Sequence, residues 1–441
     1  VNIAADRAGR LIRYQTATVG LLITGYSGYY LCRSNLSVTM PLILAELTRH
    51  GLGGNGMDAH AAQVAIGSLA SLGVLAYALG KFLAGALADR FGGRSNFLCG
   101  MAGSVAFTVL FSLAGSVPFF TLAWIGNRGV QSLGWAGAVK IASRWFSFRR
   151  YGAVMGLISL SYLFGDAVSR EFMALLIAQG LGWQGVFAVA ACVLGVLWVI
   201  CFLWLRESPG EIGEEEPKEN PTNLFAEPEA ACEHDIWRVL LRFSRNPAFW
   251  MACVLSLGTT IVRETFNLWT PTYFTQAAGM TAAQAASSSA LFPFVAGLSV
   301  LLCGWLSDAL GRGGRAAVLT GGLLVGALVL LLLGSGVAGE SRTLPVVLVT
   351  LVAFLFGGPY SLLAGAISLD FGGKQASATA SGIIDGVGYL GGVLSGDSIA
   401  RISLTYGWNG AFLFLSAAAF LSAAAGFKFF LHERTPEKIA A

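Results

Sequence analysis

Twelve long, mostly apolar stretches dominate this chain, near residues 17–42, 61–88, 95–115, 118–146, 152–179, 184–205, 247–274, 283–307, 316–338, 344–369, 376–404 and 408–431. A helix needs about 20 such residues to cross a bilayer. Only 12% of the residues are charged and 55% are apolar, whereas a soluble chain carries about 25% charge. Too few polar groups remain to cover a water-facing surface, and the same balance excludes a disordered, collagenous or coiled-coil chain. The expected fold is an all-α membrane protein with twelve transmembrane helices, its partner the lipid bilayer. The net charge of +4 comes from 28 basic and 24 acidic residues spread along the chain. So modest and dispersed an excess points away from nucleic acid. Six of the seven cysteines sit in apolar runs and only Cys232 in a polar stretch, which is neither a metal-ligand spacing nor a disulfide framework. Arg7, Arg10 and Arg13 precede the first apolar run, so that run reads as a retained anchor rather than a cleaved signal peptide.

Basic residues orient the spans. With an even number of spans both termini share a side, and that side holds nineteen basic residues between spans or at the ends. The other side holds Arg49 and Arg342. By the positive-inside rule both termini are expected in the cytoplasm, in the inner membrane if the cell is bacterial. The one long polar stretch, 206–245, carries ten acidic residues from Glu207 to Asp235 along with Pro209, Pro217, Pro221 and Pro228. That is linker composition. The expected organisation is a six-helix bundle over 1–205, an acidic cytoplasmic linker over 206–245 and a second six-helix bundle over 246–441.

The two halves repeat each other. Gly85-Ala-Leu-Ala-Asp89-Arg90-Phe-Gly92-Gly93-Arg94 follows the second span, and Gly304-Trp-Leu-Ser-Asp308-Ala-Leu-Gly311-Arg312 follows the eighth. Tyr26, Tyr30, Arg33 and Ser37 reappear 230 residues later as Ser256, Thr260, Arg263 and Asn267, and Pro41 and Pro271 each lie eight residues past their arginine. Steps of four, three and four place each polar set on one helical face. Tyr162-Leu-Phe-Gly165 is echoed by Tyr389-Leu-Gly-Gly392.

Seven basic residues remain inside the spans: Arg33, Lys81, Arg128, Lys140, Arg170, Arg263 and Arg401. A cation at the bilayer centre costs at least about 2.5–3.5 kcal/mol on insertion scales, so each needs a reason. Arg33 and Arg263 sit near the middle of equivalent helices with no acid one turn away. Glu264 adjoins Arg263 but leaves the helix about 100° around from it. Two guanidiniums facing each other across a pseudo-twofold axis would clamp a compact anion, because the guanidinium fork matches phosphate or carboxylate oxygens two at a time. A structural pairing with acids on other helices is the alternative. Lys81 and Lys140 would add positive charge or else snorkel. Tyr26, Tyr30, Trp135, Asn267 and Tyr389 are candidate substrate contacts, with helix packing as their other reading. Asp166 with Arg170, and Asp397 with Arg401, are spaced to neutralise each other locally. Asp166, Asp385 and Arg128 are candidates for coupling, Asp385 either answering Lys140 or carrying a proton. Asp89, Arg90, Arg94, Asp308 and Arg312 are candidate gating residues in the repeated turns.

The Gly-x-Leu-Ala-Asp-Arg-x-Gly-x-Arg string resembles the loop signature of the major facilitator superfamily, and the six-plus-six plan fits it. Arg128-Gly-Val-Gln-Ser-Leu-Gly134 resembles that superfamily's fourth-helix arginine motif. Within the superfamily, Gly25-Tyr-Ser-Gly-Tyr-Tyr-Leu-Cys-Arg33-Ser-Asn35, Tyr77 to Lys81, Arg263 with Leu268-Trp-Thr-Pro-Thr-Tyr273, and Gly388-Tyr-Leu-Gly-Gly392 resemble the organophosphate:phosphate antiporters. The resemblance implies that Arg33 and Arg263 bind a phosphoryl group and that Lys81 assists. The chain departs from that pattern at Gly134-Trp-Ala-Gly137, where the family has Gly-Trp-Pro-Pro, and at Ser161 and Tyr162, where the glycerol-phosphate branch has a histidine. None of the four histidines lies inside a span.

The expected function is secondary active transport of a small organic anion, a sugar or polyol phosphate exchanged for inorganic phosphate by alternating access. A proton- or sodium-coupled carboxylate symporter and a transporter-like sugar-phosphate sensor are the alternatives. No nucleotide loop, metal-ligand cluster or nucleophile–base set stands at useful spacing, so no enzyme, cofactor or metal is expected, and the carrier is expected to be a monomer.

Overall fold

A computed structural model of the chain describes residues 2–49, 56–217, 241, 243–310, 314–337, 341–363 and 367–434. Among the described residues twelve α-helices have twenty residues or more. They are α1 (Asn2–Arg49), α2 (Ala59–Phe91), α3 (Gly93–Ser112), α4 (Val117–Trp145), α5 (Phe148–Ala178), α6 (Trp183–Trp204), α7 (Pro247–Ala277), α8 (Ala282–Ala309), α9 (Gly314–Gly334), α10 (Thr343–Leu362), α11 (Ser368–Leu394) and α12 (Asp397–Arg434). No strand occurs among the described residues. In lipid only a helix satisfies every backbone group within its own segment, and this composition leaves it no alternative.

Seven segments among the described residues are long and apolar enough to cross a membrane: 59–81, 93–112, 183–204, 282–307, 314–334, 343–362 and 383–431. Helices α1, α4, α5 and α7 are not among them. These four carry Arg33, Arg128 with Lys140, Asp166 with Arg170, and Arg263 with Glu264, respectively. Their polarity faces protein, since a charge turned toward lipid would carry the full insertion cost.

The chain packs as two compact units. The first comprises Val1–Ala59, Leu72–Asn223 and Ala282–Ala290, the second His60–Ser71, Leu224–Thr281 and Leu291–Ala441. The repeat seen in the sequence recurs in the packing. In the first unit α1 lies on α5 and α6, and α3 on α4 and α6; in the second α7 lies on α11 and α12, and α9 on α10 and α12. Small residues permit these contacts, as membrane helices require. A Cβ on Gly137 would stand 2.6 Å from the Gly93 carbonyl oxygen, and one on Gly388 would stand 2.4 Å from Ser256 Oγ. Pro41 in α1 and Pro271 in α7 interrupt the helical ladder at matching points, each removing one backbone donor.

The eleventh span ends earlier than its apolar run suggests. α11 stops at Leu394, and α12 starts at Asp397 and is broken again at Gly407, whose φ of 69° and ψ of 177° no helix holds. Within the second unit the break at Ser395–Gly396 is fixed by α2 residues 60–71. Ser71 Oγ donates to the Val393 carbonyl at 2.5 Å and accepts from Asp397 N at 2.9 Å, and Ser68 Oγ donates to Asp397 at 2.6 Å. These hydroxyls replace helix bonds lost at the break.

Candidate functional site

Around Tyr77 of α2, three cations of the first unit converge. The guanidinium carbon of Arg33 is 4.5 Å from the centre of the Tyr77 ring, that of Arg128 is 4.7 Å from it, and Lys81 Nζ is 5.2 Å away. Arg33 also lies 5.3 Å from the Tyr30 ring and Arg128 6.0 Å from that of Trp124. Each such cation–ring contact contributes about 0.5–2 kcal/mol, and the ring face holds charge without neutralising it. Local sequence makes the convergence possible. A Cβ on Gly73 would collide with Trp124 and with Cγ of Arg128, and one on Gly80 with Ser132 Oγ, so these glycines let α4 approach α2. Gln131, one turn after Arg128, accepts from its Nη1 at 3.3 Å and donates to the Cys32 carbonyl at 3.1 Å. The amide thereby ties Arg128 to the residue preceding Arg33.

The second unit builds its own cluster around Arg263 of α7. Its guanidinium carbon stands 3.8 Å from the Tyr360 ring centre and 5.8 Å from that of Tyr389, whose hydroxyl is 3.4 Å from Nη2. Tyr360 donates to Asp385 at 2.8 Å. Here one expectation is corrected: Arg263 is ion-paired, Nη2 lying 2.8 Å from Glu264 Oε1. Two long side chains one residue apart can fold toward each other although their Cα–Cβ bonds diverge. Nε of Arg263 is nevertheless buried without a hydrogen-bond partner among the described residues, so the pairing leaves part of the fork unused.

Other predicted residues take different places. Tyr26 is buried and packed, its ring 5.3 Å from Trp135, 5.7 Å from Tyr29 and 6.1 Å from Tyr30. Trp135 further meets Tyr162 at 6.4 Å. These rings form an aromatic wall beside Arg33. Asn267 is half-buried on α7, one turn past Arg263. Lys140 lies in the last two turns of α4, with Gly93 at the start of α3 against its Cβ. It therefore sits near a helix end, within reach of the snorkelling that the sequence allowed. Asp166 and Arg170 pair at 3.0 Å in the core. Ser34 donates to the same carboxylate, and Arg170 reaches Ser289 at 3.2 Å. Asp397 and Arg401 pair at 2.8 Å near the surface. Both pairs neutralise themselves on one helix.

Of the turn residues, Arg312 and the side chains of Asp89 and Asp308 lie outside the described residues. Arg90 is exposed, its guanidinium carbon 5.4 Å from the Phe91 ring. Arg94 donates to the carbonyls of Leu205 and Phe202 at 2.7 and 2.6 Å, capping the end of α6. The carboxylate of Glu207 in turn accepts from the backbone of Gly93 and Arg94 at 2.9 and 2.5 Å, where the α3 dipole favours negative charge. Arg144 joins Glu207 at 3.3 Å and Glu216 at 2.7 Å, and Arg10 joins Glu214 at 2.7 Å. The start of the acidic segment is thus docked on the first unit by ion pairs. The hydrogen bond from Arg144 holds the Glu216 carboxyl below the usual carboxylate range, against a smaller upward push from burial.

Tyr360, Gln131 and Glu207 escaped the sequence reading. Tyr360 had a usable signal, a lone phenol directly after Gly357-Gly358-Pro359 in an apolar span. Glu207 looked like any other acid of the linker.

Long apolar helices together with helices that carry buried charges, packed in the same pattern in each of two units, fit a multi-pass membrane transporter. The chain belongs to the Major Facilitator Superfamily, whose family profile matches residues 22–396. It is similar to the glycerol-3-phosphate transporter of Bacillus subtilis (strain 168), 26% identical over 95% of this chain and 92% of that protein. It is also similar to a probable hexose phosphate transport protein of Chlamydia trachomatis serovar D, 24% identical over 91% and 88% of the two chains. Its fold matches the crystal structure of a D-xylose-proton symporter with a TM-score of 0.74 at 15% identity, over 93% of this chain and 97% of that one. The protein is a transporter and not an enzyme.

Proposed function

We propose that the protein carries a phosphorylated small metabolite across the membrane in exchange for inorganic phosphate, by alternating access. The two halves flank the acidic segment, and both termini lie in the cytoplasm. Arg33 of the first unit and Arg263 of the second are the principal anion-binding groups, with Lys81, Tyr30 and Tyr389 assisting. The observation that carries this reading is the recurrence of a guanidinium laid over tyrosine rings in each unit, at positions 230 residues apart. A guanidinium on an aromatic face keeps its in-plane donors available for the paired oxygens of a phosphate. The glycerol-3-phosphate and hexose phosphate carriers to which the chain is similar support phosphate esters over plain carboxylates.

A thermal-shift panel of the purified protein tests the substrate class. Phosphate, glycerol 3-phosphate and glucose 6-phosphate are expected to raise the melting temperature with saturation, while lactate and succinate do not. Stabilisation by the carboxylates alone would move the assignment to a carboxylate carrier.

A further inference from the structure

Helices α2 and α8 each change units along their length. Residues 60–71 of α2 pack in the second unit and the rest of that helix, from Leu72, in the first. Ala282–Ala290 of α8 pack in the first unit and the rest, from Leu291, in the second. Each borrowed segment meets one of the two Asp–Arg pairs. In the first unit Arg170, 2% exposed, pairs with Asp166 at 3.0 Å and donates to Ser289 of α8 at 3.2 Å. In the second, Ser68 of α2 donates at 2.6 Å to Asp397, which pairs with Arg401 at 2.8 Å. The sequence carries the same correspondence. Asp397 and Arg401 stand 231 residues after Asp166 and Arg170, respectively, and both serines lie in the first three turns of their helices. The first copy also reaches the helix of Arg33: Ser34 donates to Asp166, and Ser37 accepts from Arg170 at 3.5 Å.

A pair spaced i,i+4 neutralises its own charge whether or not a third group approaches. Both partners carry more donor and acceptor sites than the pair itself uses. A serine hydroxyl can therefore join or leave it without stranding a buried charge, the outcome that makes breaking an ordinary buried ion pair costly. That suits a contact that must part and re-form in every cycle. Small residues accompany it. Ala286 of α8 packs with Val38, Met173, Ala174 and Val186 in the first unit. In the second, a Cβ on Gly67 of α2 would stand 2.8 Å from the Gly396 carbonyl oxygen. We propose that the two Asp–Arg pairs are matched latches. Arg170 on Ser289 and Asp397 on Ser68 hold the first halves of α8 and α2, keep the carrier closed on the side away from the cytoplasm, and release both hydroxyls together when that side opens. The proposal rests on alternating access and on the orientation given above, and not on which anion is carried.

Ser68→Ala and Ser289→Ala each remove one hydroxyl and leave both ion pairs in place. Amide hydrogen exchange of the full-length protein in detergent, followed over 60–71 and 282–290, reads the two latches. A hydrogen bond to a charged group shifts the opening equilibrium by about tenfold or more, so either variant should exchange about tenfold faster over its own segment. Because the two hydroxyls are released together, the other segment should quicken as well. A serine that only fills space would move its own segment alone. Ser68→Thr keeps the hydroxyl and is expected to hold both segments near the wild-type rate. Acceleration confined to the mutated segment, no acceleration in either alanine variant, or equal acceleration in Ser68→Ala and Ser68→Thr would overturn the proposal. Phosphate counterflow by the wild type in proteoliposomes is measured separately. A failed latch with counterflow intact overturns this proposal alone, and absent counterflow overturns the phosphate reading without touching the latch.

Discussion

Glu264 occupies the guanidinium proposed to bind the anion in the second unit, and on that reading replacing it should strengthen binding. Glu264 Oε1 lies 2.8 Å from Arg263 Nη2, and the two side chains are 9% and 17% exposed. At the effective dielectric of about 20 that suits such sites, opposite charges about 4 Å apart attract by roughly 4 kcal/mol before desolvation is counted. The net value of a charge-assisted hydrogen bond is nearer ~1.5–3 kcal/mol. An incoming phosphate must displace this carboxylate or share the fork with it. Glu264→Gln keeps the length and one acceptor but removes the competing charge, so affinity for inorganic phosphate should rise about 10- to 100-fold. Turnover should fall, because a tighter ground state without a tighter transition state slows release. Calorimetric titration of both proteins with phosphate, beside an exchange assay in proteoliposomes, reads the two effects. A folded Glu264→Gln that binds phosphate no better than the wild type would refute the idea that Glu264 stands in for the anion.

Arg33→Lys retains one positive charge but loses the fork, and initial phosphate exchange should drop about 100-fold with an unchanged melting temperature, as read in proteoliposomes and by thermal unfolding. Glu207→Ala removes the carboxylate cap of α3, a loss of ~0.5–2 kcal/mol. The melting temperature should fall by about 2–4 °C per kcal/mol, with Glu215→Ala as the milder control. Glu216 has its pKa depressed in the folded protein by the Arg144 hydrogen bond. Its docking is therefore fully present above the ordinary carboxylate range and is lost as pH falls through the lowered value. Hydrogen-exchange protection over 207–217, relative to the intrinsic rate at each pH, should hold at neutral pH and be lost only in the acid range, and loss of protection between pH 6 and 8 would contradict that pairing.

Much of the architecture was legible because lipid imposes few choices. Span length, glycine content and the repeated turns mark twelve helices and a six-plus-six plan. The i,i+4 pairs Asp166–Arg170 and Asp397–Arg401 follow from helical geometry alone, and both form. Less legible was whatever depends on side-chain reach or on which helix lies alongside. Glu264 was set aside on the direction of its Cα–Cβ bond, yet flexible side chains bring it onto Arg263. Tyr77 was visible only as part of a pattern, and its position among three cations depends on how Gly73 and Gly80 admit α4. The break at Gly396 falls on Ser395-Gly396-Asp397-Ser398, a polar interruption too short to divide the long apolar stretch around it.

The central claim is that Arg33 and Arg263 bind the phosphoryl group of a substrate exchanged for phosphate. Its most direct measurement is counterflow in proteoliposomes loaded with unlabelled phosphate, with labelled phosphate outside and no ion gradient imposed. The wild type should accumulate label transiently, external phosphate ester should compete for that uptake, and Arg33→Lys and Arg263→Lys should each abolish it. Label uptake that requires a proton or sodium gradient, or that survives in either lysine variant, would contradict the account.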